Sequence, residues 1–383
     1  MSRTDLDIAE PRACGVSSSI CVMRWLMKCY NSTHNFINMF SKRKIRVAIN
    51  GFGRIGRAFL KTARKREEID VIAINDLGDI KNMTYLLKYD TVYKTSPFDV
   101  SAVEGSDPYL LVDGKKIFYL SEKEPLKLPW KKLNIDVVVE ATGLFTSYDK
   151  AKVHLDSGAK RVVITAPAKG QSATAGETVL MGVNEDKLST CAITSNASCT
   201  TNAGSPLLAI LDEAIGIEKA VLNTVHGYTA SQGIVDGPNK KDWREGRAAA
   251  QNIVPSSTGA AVATTKALTR LAGKFDGISI RVPVVAGSIV DITFIAKRNT
   301  TVDEVNIALK KASGTARWKN IFAVTEEELV SSDILGDTHG SIADLKFTRV
   351  VDGNLVKVLA WYDNEMGYTY TLVDHVIKTA KYI

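Results

Sequence analysis

The octapeptide NGFGRIGR, residues 50–57, is the strongest indication of the fold of this chain. Gly51, Gly53 and Gly56 give it the pattern GxGxxG, which follows the apolar run KIRVAIN and opens a stretch with helical spacing. In such a unit the first glycine permits the tight turn, the second admits a pyrophosphate, and the third lets the helix pack on the strand. Free N–H groups at the helix N-terminus attract the phosphates. The octapeptide therefore predicts a dinucleotide site, with a purely structural turn as the alternative.

An acidic residue after the second predicted strand supports the dinucleotide interpretation. The strand VIAIN (71–75) leads directly into Asp76, twenty residues beyond Gly56. A carboxylate at this spacing accepts hydrogen bonds from the ribose hydroxyls of the adenosine half. The same carboxylate would repel a 2′-phosphate, so Asp76 favours NAD, with NADP as the alternative cofactor.

Strands and helical segments alternate through the first half of the chain. The segment NMTYLLKYD (82–90) has helical spacing, and TSYDKAKVHLDSGAK is a second helical segment. Further strands are predicted at DVVVEATG (136–143), RVVITAPA (161–168) and AITSN (192–196). This alternation predicts an α/β, Rossmann-type, doubly wound domain with a parallel sheet.

Longer β-like runs follow residue 199, with fewer helices between them. They are AVLNTVHGYT (220–229), GISIRVPVV (277–285), SIVDITFIAK (288–297) and LVKVLAWYD (355–363), and the chain ends in the amphipathic segment TLVDHVIKTAKYI. This pattern predicts an α+β catalytic domain with a mixed or antiparallel sheet. We expect a cofactor domain at 44–197, completed by a C-terminal helix at 365–383, and a catalytic domain at 198–364. Residues 1–43 are expected to be a disordered extension or the product of a wrongly chosen start codon.

Composition narrows the function classes. The chain has 383 residues, 45% of them apolar and 24% charged, with a net charge of +7. These values suit an ordinary globular protein, so the mild charge indicates a solvated surface or a weak affinity for phosphates. The sequence has no apolar run of eighteen residues, no basic stripe interleaved with aromatics, and no CxxC pair or zinc-like cluster. We therefore expect a cytoplasmic protein that needs no membrane, metal or nucleic acid.

The segment SNASCTTN, residues 195–202, places Cys199 among small polar residues. A cysteine usually packs as a small apolar side chain, and that role is the alternative here. Because a strand precedes Cys199 and an apolar run follows it, we expect a strand-to-helix turn, where the helix N-terminus lowers a thiol pKa and favours the nucleophilic thiolate. Pro206 lies within the predicted helix and is expected to bend it.

A cysteine nucleophile usually has a partner base. His226, at the end of a β-like run, is the candidate among the histidines after Lys44, with a purely structural histidine as the alternative. An ordinary histidine pKa, near neutrality, suits general acid–base work. His375 lies on the predicted last helix and is interpreted as structural.

From about Lys44 to its end the sequence resembles the phosphorylating glyceraldehyde-3-phosphate dehydrogenases. The resemblance rests on NGFGRIGR (50–57), LLKYDT (86–91), SNASCTTN (195–202), WREGRAAAQNIVPSSTGAA (243–261), RVPVV (281–285) and WYDNEMGY (361–368). It implies oxidation of D-glyceraldehyde 3-phosphate to 1,3-bisphosphoglycerate with NAD and inorganic phosphate, through a thiohemiacetal and a thioester on Cys199, in a homotetramer. Two departures are Ala203, where many members have a second cysteine, and Leu77, where many have proline.

The resemblance also implies roles for individual residues. The catalytic residues are Cys199 as nucleophile and His226 as base. The residues implied to bind NAD are Gly51, Gly53, Arg54, Ile55, Gly56, Asp76, Lys123, Thr165 and Asn364. Those implied to bind the sugar phosphate and the attacking phosphate are Ser198, Thr200, Thr229, Thr258, Gly259 and Arg281.

Two other functions compete with this one. A dehydrogenase of the erythrose-4-phosphate type resembles the chain in the glycine turn and in SNASCTTN, but typically lacks a threonine at the position of Thr229 and the STGA segment, both present here. A protein that keeps the fold but binds nucleic acid or a partner is the other alternative. The intact set of catalytic positions and the mild charge favour the enzyme.

Overall fold

The computed structural model describes residues 43–169 and 176–383. The predicted extension at 1–43 lies outside the described residues except for Arg43. The residues from Ile45 to Ile383 form one compact unit, which contains all the described strands and helices. None of the helices in the described part of the chain is long and apolar enough to cross a bilayer.

The first half of the chain builds a nine-stranded sheet and a small hairpin. The sheet order is β10-β11-β9-β8-β1-β2-β7-β6-β5, and β3 pairs only with β4. The strands are β1 Ile45–Asn50, β2 Ile69–Asn75, β3 Tyr89–Asp90, β4 Lys94–Thr95, β5 Val100–Val103, β6 Tyr109–Val112, β7 Lys115–Leu120, β8 Val137–Glu140, β9 Arg161–Ile164, β10 Gly176–Thr178 and β11 Ile193–Ser195.

The central strands of this sheet are parallel, as predicted, because they are apolar runs that bury both faces. Strand β8 and strand β9 are buried at every position, and β1 pairs in parallel with β2 and β8. Near-continuous apolar strands of this kind are typical of doubly wound sheets. The Rossmann-type fold class is thereby confirmed.

One edge of the sheet differs from the prediction. Strands β5, β6 and β7 are joined by antiparallel pairing, and none of them was predicted. The turn between β6 and β7 contains Asp113 and Gly114, with φ of 48° and 72°. An Asp-Gly pair with both residues at positive φ is the preferred two-residue hairpin turn, so this dipeptide was the available signal.

Short helices cover the first sheet. The helix after the glycine turn is α1, Arg54–Ala63, and α2 is Ile80–Lys88. The segment predicted as a helix at 82–90 therefore ends two residues early, because Tyr89 and Asp90 enter the small hairpin. The helical segment between β8 and β9 forms two separate turns, α3 Tyr148–Ala151 and α4 Val153–Asp156.

The second half of the chain builds a seven-stranded mixed sheet, which confirms the predicted α+β class. Its order is β13-β14-β12-β15-β18-β17-β16, with parallel pairing only in β12/β14 and β16/β17. The strands are β12 Ile217–Gly227, β13 Val254–Ser257, β14 Phe275–Val282, β15 Ser288–Ala296, β16 Phe322–Thr325, β17 Ser341–Val351 and β18 Leu355–Tyr362.

The described residues contain four further α-helices: α5 Cys199–Ala214, α6 Ala260–Ala267, α7 Val302–Ser313 and α8 Met366–Thr379. Helix α5 runs without interruption through Pro206. Helix α8 returns to the first sheet, where Leu372 and Val376 join the core that contains Val47 and Phe59. Cys199, at the start of α5, packs against the cores of both sheets. The predicted nucleophile therefore lies where the two halves of the chain meet.

Candidate active site

The turn before Cys199 is fixed by its own side chains. Ala197 has φ of 55°, a left-handed conformation that costs free energy for a residue with a Cβ atom. Ser198 caps α5, since its Oγ accepts a hydrogen bond from Thr201 N at 3.1 Å. The left-handed backbone at Ala197 and the cap at Ser198 together make Cys199 the first residue of α5. This agrees with the predicted strand-to-helix turn.

The pKa of the Cys199 thiol differs from the sequence-based expectation. Burial raises it, while the charge of Arg281 and the backbone N–H groups of Thr200 and Cys199 act in the opposite direction. Desolvation penalises the thiolate more than these groups stabilise it. The expected lowering is therefore wrong for the site without substrate, although the helix N-terminus does act as predicted.

His226 faces the nucleophile. Its Nε2 lies 3.4 Å from Cys199 Sγ, and its Nδ1 lies 2.6 Å from the carbonyl oxygen of Gly227. The Nδ1–H donates to this carbonyl, so Nε2 is left without a proton and accepts from the thiol. Burial and the charge of Arg281 lower the pKa of His226 to about 3. The expected pKa near neutrality is wrong, and the imidazole is a neutral acceptor.

Arg281 supplies an unpaired positive charge beside this pair. It lies opposite His226 in the parallel pairing of β12 and β14. Its Nε and Nη1 are buried and have no hydrogen-bond partner among the described residues. Buried N–H groups of a guanidinium that lack a partner are costly unless an anion completes them. Arg281 is therefore built to receive a phosphate or carboxylate close to Cys199 and His226.

The remaining residues predicted to bind phosphate follow the strands that carry His226 and pair with Arg281, or lie at the start of α5. The Oγ1 of Thr229, two residues beyond β12, lies 2.9 Å from Ser231 Oγ. Thr258 Oγ1 accepts from Ala260 N, and a Cβ at Gly259 would meet no atom within 4 Å. Thr258 and Gly259 follow β13, which pairs with β14, the strand that carries Arg281. Thr200 is buried, and its hydroxyl lies 2.9 Å from the hydroxyl of Tyr362. Both its N–H and its hydroxyl act on the Cys199 thiol and lower the pKa of that thiol.

Tyr362 was not singled out from the sequence. Its hydroxyl lies 2.7 Å from Thr224 Oγ1, and its ring meets the His226 ring edge-on at 5.9 Å. Tyr362 therefore packs against the ring of His226 and contacts Thr200, the second residue of α5. The alternating burial of β18 places it on the inner face, and its position in WYDNEMGY was the available signal.

The glycine turn fits a dinucleotide. Gly51 has φ of 96°, and a Cβ there would lie 2.6 Å from Thr142 N. A Cβ at Gly56 would lie 2.1 Å from the carbonyl oxygen of Gly51, so this glycine lets α1 pack closely. A Cβ at Gly53 would meet nothing within 4 Å. The space at Gly53 is open on the side where a pyrophosphate would approach.

Asp76 also stabilises the glycine turn. One carboxylate oxygen accepts from Phe52 N at 2.6 Å, and the other accepts from Gly78 N at 2.8 Å. Each oxygen keeps a lone pair for a ribose hydroxyl. The predicted acid is therefore correctly placed after β2 and is held rigidly by its two backbone donors.

The side chain of Arg54 binds two carboxylates of this chain and is therefore not free to bind the cofactor phosphates. Its guanidinium binds Glu365 through two nitrogens and donates to Asp90 Oδ2 at 2.8 Å. Arg57 N is the first N–H of α1 to reach a carbonyl, that of Gly53. The N–H groups of Arg54 and Ile55 are thus left for phosphates, and any contact from Arg54 comes from its backbone.

The other predicted cofactor residues come from other segments of the chain. Asn364 Oδ1 accepts from Gly287 N at 2.9 Å and from Ser288 Oγ at 3.2 Å, which leaves Nδ2 to donate to a ligand. Ser288 lies opposite His226, so Asn364 belongs to the nucleophile's surroundings. Thr165 follows β9, and exposed Lys123 follows β7. No cluster of three metal-binding side chains occurs within residues 43–169 and 176–383.

His375 has the structural surroundings that were expected. It is fully buried, with Nε2 at 2.8 Å from Thr194 Oγ1 and Nδ1 at 3.0 Å from Asn196 Oδ1. Burial lowers its pKa to about 3. It ties α8 to the strand that leads into the nucleophile turn.

Two family models and several known proteins match the chain. The family model described as "Glyceraldehyde 3-phosphate dehydrogenase, NAD binding domain" matches residues 45–148, and its "C-terminal domain" counterpart matches residues 198–364. Glyceraldehyde-3-phosphate dehydrogenase 1 of Kluyveromyces lactis is 47% identical over 333 residues, which are 87% of this chain and 98% of the relative.

Two further relatives match the chain at similar identity and coverage. Glyceraldehyde-3-phosphate dehydrogenase of Streptomyces coelicolor is 47% identical over 86% of this chain and 97% of its own length. Glyceraldehyde-3-phosphate dehydrogenase 1 of Candida glabrata is 48% identical over 88% of this chain and 99% of its own length.

Proposed function

The chain belongs to the glyceraldehyde 3-phosphate dehydrogenase family, and we propose that Cys199 and His226 are its catalytic pair. It is an NAD-dependent enzyme that oxidises D-glyceraldehyde 3-phosphate and phosphorylates the product to 1,3-bisphosphoglycerate. The observation that carries the assignment is the 3.4 Å contact between Cys199 Sγ and His226 Nε2, beside the unpaired guanidinium of Arg281.

The first step forms a carbon–sulfur bond. The thiol proton moves to His226 Nε2 as Cys199 Sγ attacks the aldehyde carbon, and the imidazolium returns a proton to the new alkoxide. The charge of Arg281 and the N–H of Thr200 favour the transient thiolate. The Nδ1–H bond to the Gly227 carbonyl keeps the imidazole in the tautomer that this transfer requires.

The second step is oxidation of the thiohemiacetal on Cys199. His226 removes the hydroxyl proton while the hydride leaves the same carbon, which gives a thioester. NAD, when bound, would supply the hydride acceptor for this oxidation. Asn364 would orient the cofactor through its free Nδ2, and the N–H groups of α1 with the open face of Gly53 would hold its pyrophosphate. Asp76 would bind the ribose, with Thr165 and Lys123 completing the proposed set.

Inorganic phosphate then attacks the thioester, and Cys199 leaves as a thiolate that is reprotonated through His226. Arg281 and Thr229 would bind the phosphate already on the sugar. Ser198, the N–H of Thr200, Thr258 and Gly259 would bind the attacking phosphate. The unoccupied hydrogen-bonding capacity of Arg281 and the open space at Gly259 support this division.

We also propose the division into a cofactor domain at 44–197, completed by 365–383, and a catalytic domain at 198–364. The strands of the first sheet end by Ser195, those of the second lie between Ile217 and Tyr362, and α8 packs on the first. Cytoplasmic location is a further proposal. It is supported by the free thiols of Cys191 and Cys199.

A homotetramer is proposed as the assembly. On the outer face of the second sheet Val221 and Ile278 are exposed, and the neighbouring Asn223 Oδ1 and Asp291 Oδ1 are buried without a partner among the described residues. Apolar side chains and unpaired polar atoms on one surface indicate contact with another copy. Sedimentation equilibrium of the full chain tests the assembly directly.

Trapping of the acyl-enzyme tests the proposed function. Substrate and NAD without phosphate should give a mass increase on the peptide that contains Cys199, and added phosphate should remove it. The Cys199→Ser variant serves as the matched control. An acyl group on Cys191, or none on either cysteine, would contradict the assignment.

A further inference from the structure

Three adjacent parallel strands end on a row of buried polar side chains. Asn50, at the end of β1, lies opposite Asn75 of β2 and Glu140 of β8. Each of the three is at least 95% buried. The row lies directly beneath the glycine turn, because Gly51 follows Asn50 and a Cβ at Gly51 would touch Thr142 N.

Hydrogen bonds join this row into one chain. Asn75 Nδ2 donates to Asn50 Oδ1 at 2.8 Å, and Asn50 Nδ2 donates to Glu140 Oε2 at 2.6 Å. At one end Asn75 binds both the N–H and the carbonyl of Glu122, the residue before Lys123. At the other end Glu140 Oε1 accepts from the N–H and the hydroxyl of Thr142.

The carboxylate of Glu140 is paired with a neutral histidine. Trp130 Nε1 donates to His154 Nδ1 at 3.2 Å, so that nitrogen carries no proton. His154 Nε2–H then donates to Glu140 Oε2 at 2.9 Å. His154 is completely buried. Both oxygens of Glu140 thus accept hydrogen bonds from buried donors. Replacement of such a buried polar pair by apolar residues is often neutral or stabilising for the fold, so stability alone does not explain the pair.

We propose that Glu140 is a positioning residue for the adenosine half of NAD, an inference that rests on the proposed cofactor site. Its carboxylate accepts from donors on β1, α4 and the Thr142 loop, and the row ties these to the segments that carry Asp76 and Lys123. The row thereby fixes the spacing of the loops that meet the dinucleotide. An apolar residue at 140 would fill the space without holding the loops together.

The test is Glu140→Gln, which keeps the shape of the side chain. Its NH₂ group would face either the donors of Asn50 and His154 or those of Thr142. Asn50 would have to rotate its amide to accept, and this would break its bond to Asn75. We expect the Kd of both NAD and ADP-ribose, measured by calorimetry, to rise about tenfold, the effect of one hydrogen bond to a charged group. The kcat at saturating NAD and the alkylation rate of Cys199 without cofactor should stay within about twofold.

Glu67→Gln, at an exposed glutamate, is the matched control and should bind both ligands as wild type does. If Glu140→Gln does not fold, His154→Phe removes one donor while filling its space, and His154→Gln should restore part of the affinity. Unchanged Kd values in a folded variant would overturn the proposal. So would weaker binding of NAD with unchanged ADP-ribose, or slower alkylation of Cys199. Wild type that binds no NAD would instead refute the proposed function.

Discussion

Glu365 forms a two-point ion pair with the guanidinium of Arg54, which lies 311 residues away in the sequence. This pair joins the glycine turn to the segment that carries Asn364. The two ends of the proposed NAD site are thus linked by one ion pair. Asp90 adds a second carboxylate to the same guanidinium. The Arg54 side chain therefore holds the site together and leaves the phosphates to the backbone.

Glu365→Gln should weaken NAD binding moderately. Since 38% of the Arg54 side chain is exposed, we expect the Kd of NAD to rise about two- to fivefold, the range of a partly solvated ion pair. Calorimetry measures this change. Glu304→Gln, which breaks the exposed pair with Arg298, is the control and should leave the Kd unchanged. Equal effects of the two variants would show that Arg54–Glu365 has no special role in the site.

Arg281→Leu should impair both phosphate binding and the nucleophile. We expect kcat/KM for the aldehyde to fall about 10²-fold or more, because a charge-assisted contact to phosphate is lost. Arg281→Lys should recover part of this but not the planar, forked geometry. Steady-state kinetics with varied aldehyde separates the variants. A Lys variant as active as wild type would show that a point charge suffices.

The same substitution should slow alkylation of Cys199. The charge of Arg281 lowers the pKa of this thiol, so its removal raises the pKa further and reduces the thiolate fraction at pH 7. The rate of reaction with iodoacetamide as a function of pH measures the effect. An unchanged rate in Arg281→Leu would mean that Arg281 does not act on the sulfur.

His226→Asn should lower kcat about 10²- to 10⁴-fold, the usual contribution of a general acid–base group. The side chain keeps some polarity and volume but cannot take up the thiol proton. Rapid-quench measurement of the acylation step distinguishes this from slow product release. An acylation rate within tenfold of wild type would exclude His226 as the base.

Two buried histidines should make the protein sensitive to acid. The pKa values of His226 and His375 are about 3 in the fold, and both rise to about 6.5 on unfolding. The contribution of neutral imidazole to stability is complete above pH 6.5 and is lost as the pH falls towards 3. Each histidine should reduce the free energy of unfolding by about 1.4 kcal/mol per pH unit in that window.

His375→Asn isolates one of these contributions. Because the variant has no group to protonate at 375, its free energy of unfolding should fall less steeply between pH 6 and 5 than that of wild type. Urea unfolding at both pH values measures the slopes. Identical slopes would show that His375 is already protonated in the fold.

Local sequence was sufficient for the fold class and for the glycine turn. GxGxxG needs only its neighbouring strand and helix, and the structure shows a separate physical reason for each glycine. The hairpin at β6 and β7 was missed, although Asp113-Gly114 signals it. The adjacent strands are only four and six residues long, so their periodicity is weak.

Features that depend on distant residues could not be predicted. The commitment of Arg54 requires Glu365 as a partner, and the support of His226 by Tyr362 requires the packing of β18. The pKa values of Cys199 and His226 depend on burial between two cores, which no local pattern shows. Local motifs identified the reacting residues, and tertiary packing set their protonation.

The most direct test of the account is NADH formation from glyceraldehyde 3-phosphate and NAD, with and without phosphate, in wild type and Cys199→Ser. We predict sustained turnover only when phosphate is present, and none in the variant. Without phosphate, wild type should release about one NADH per site and stop, because the thioester persists. Turnover that is indifferent to phosphate, or that survives in Cys199→Ser, would contradict the proposed reaction.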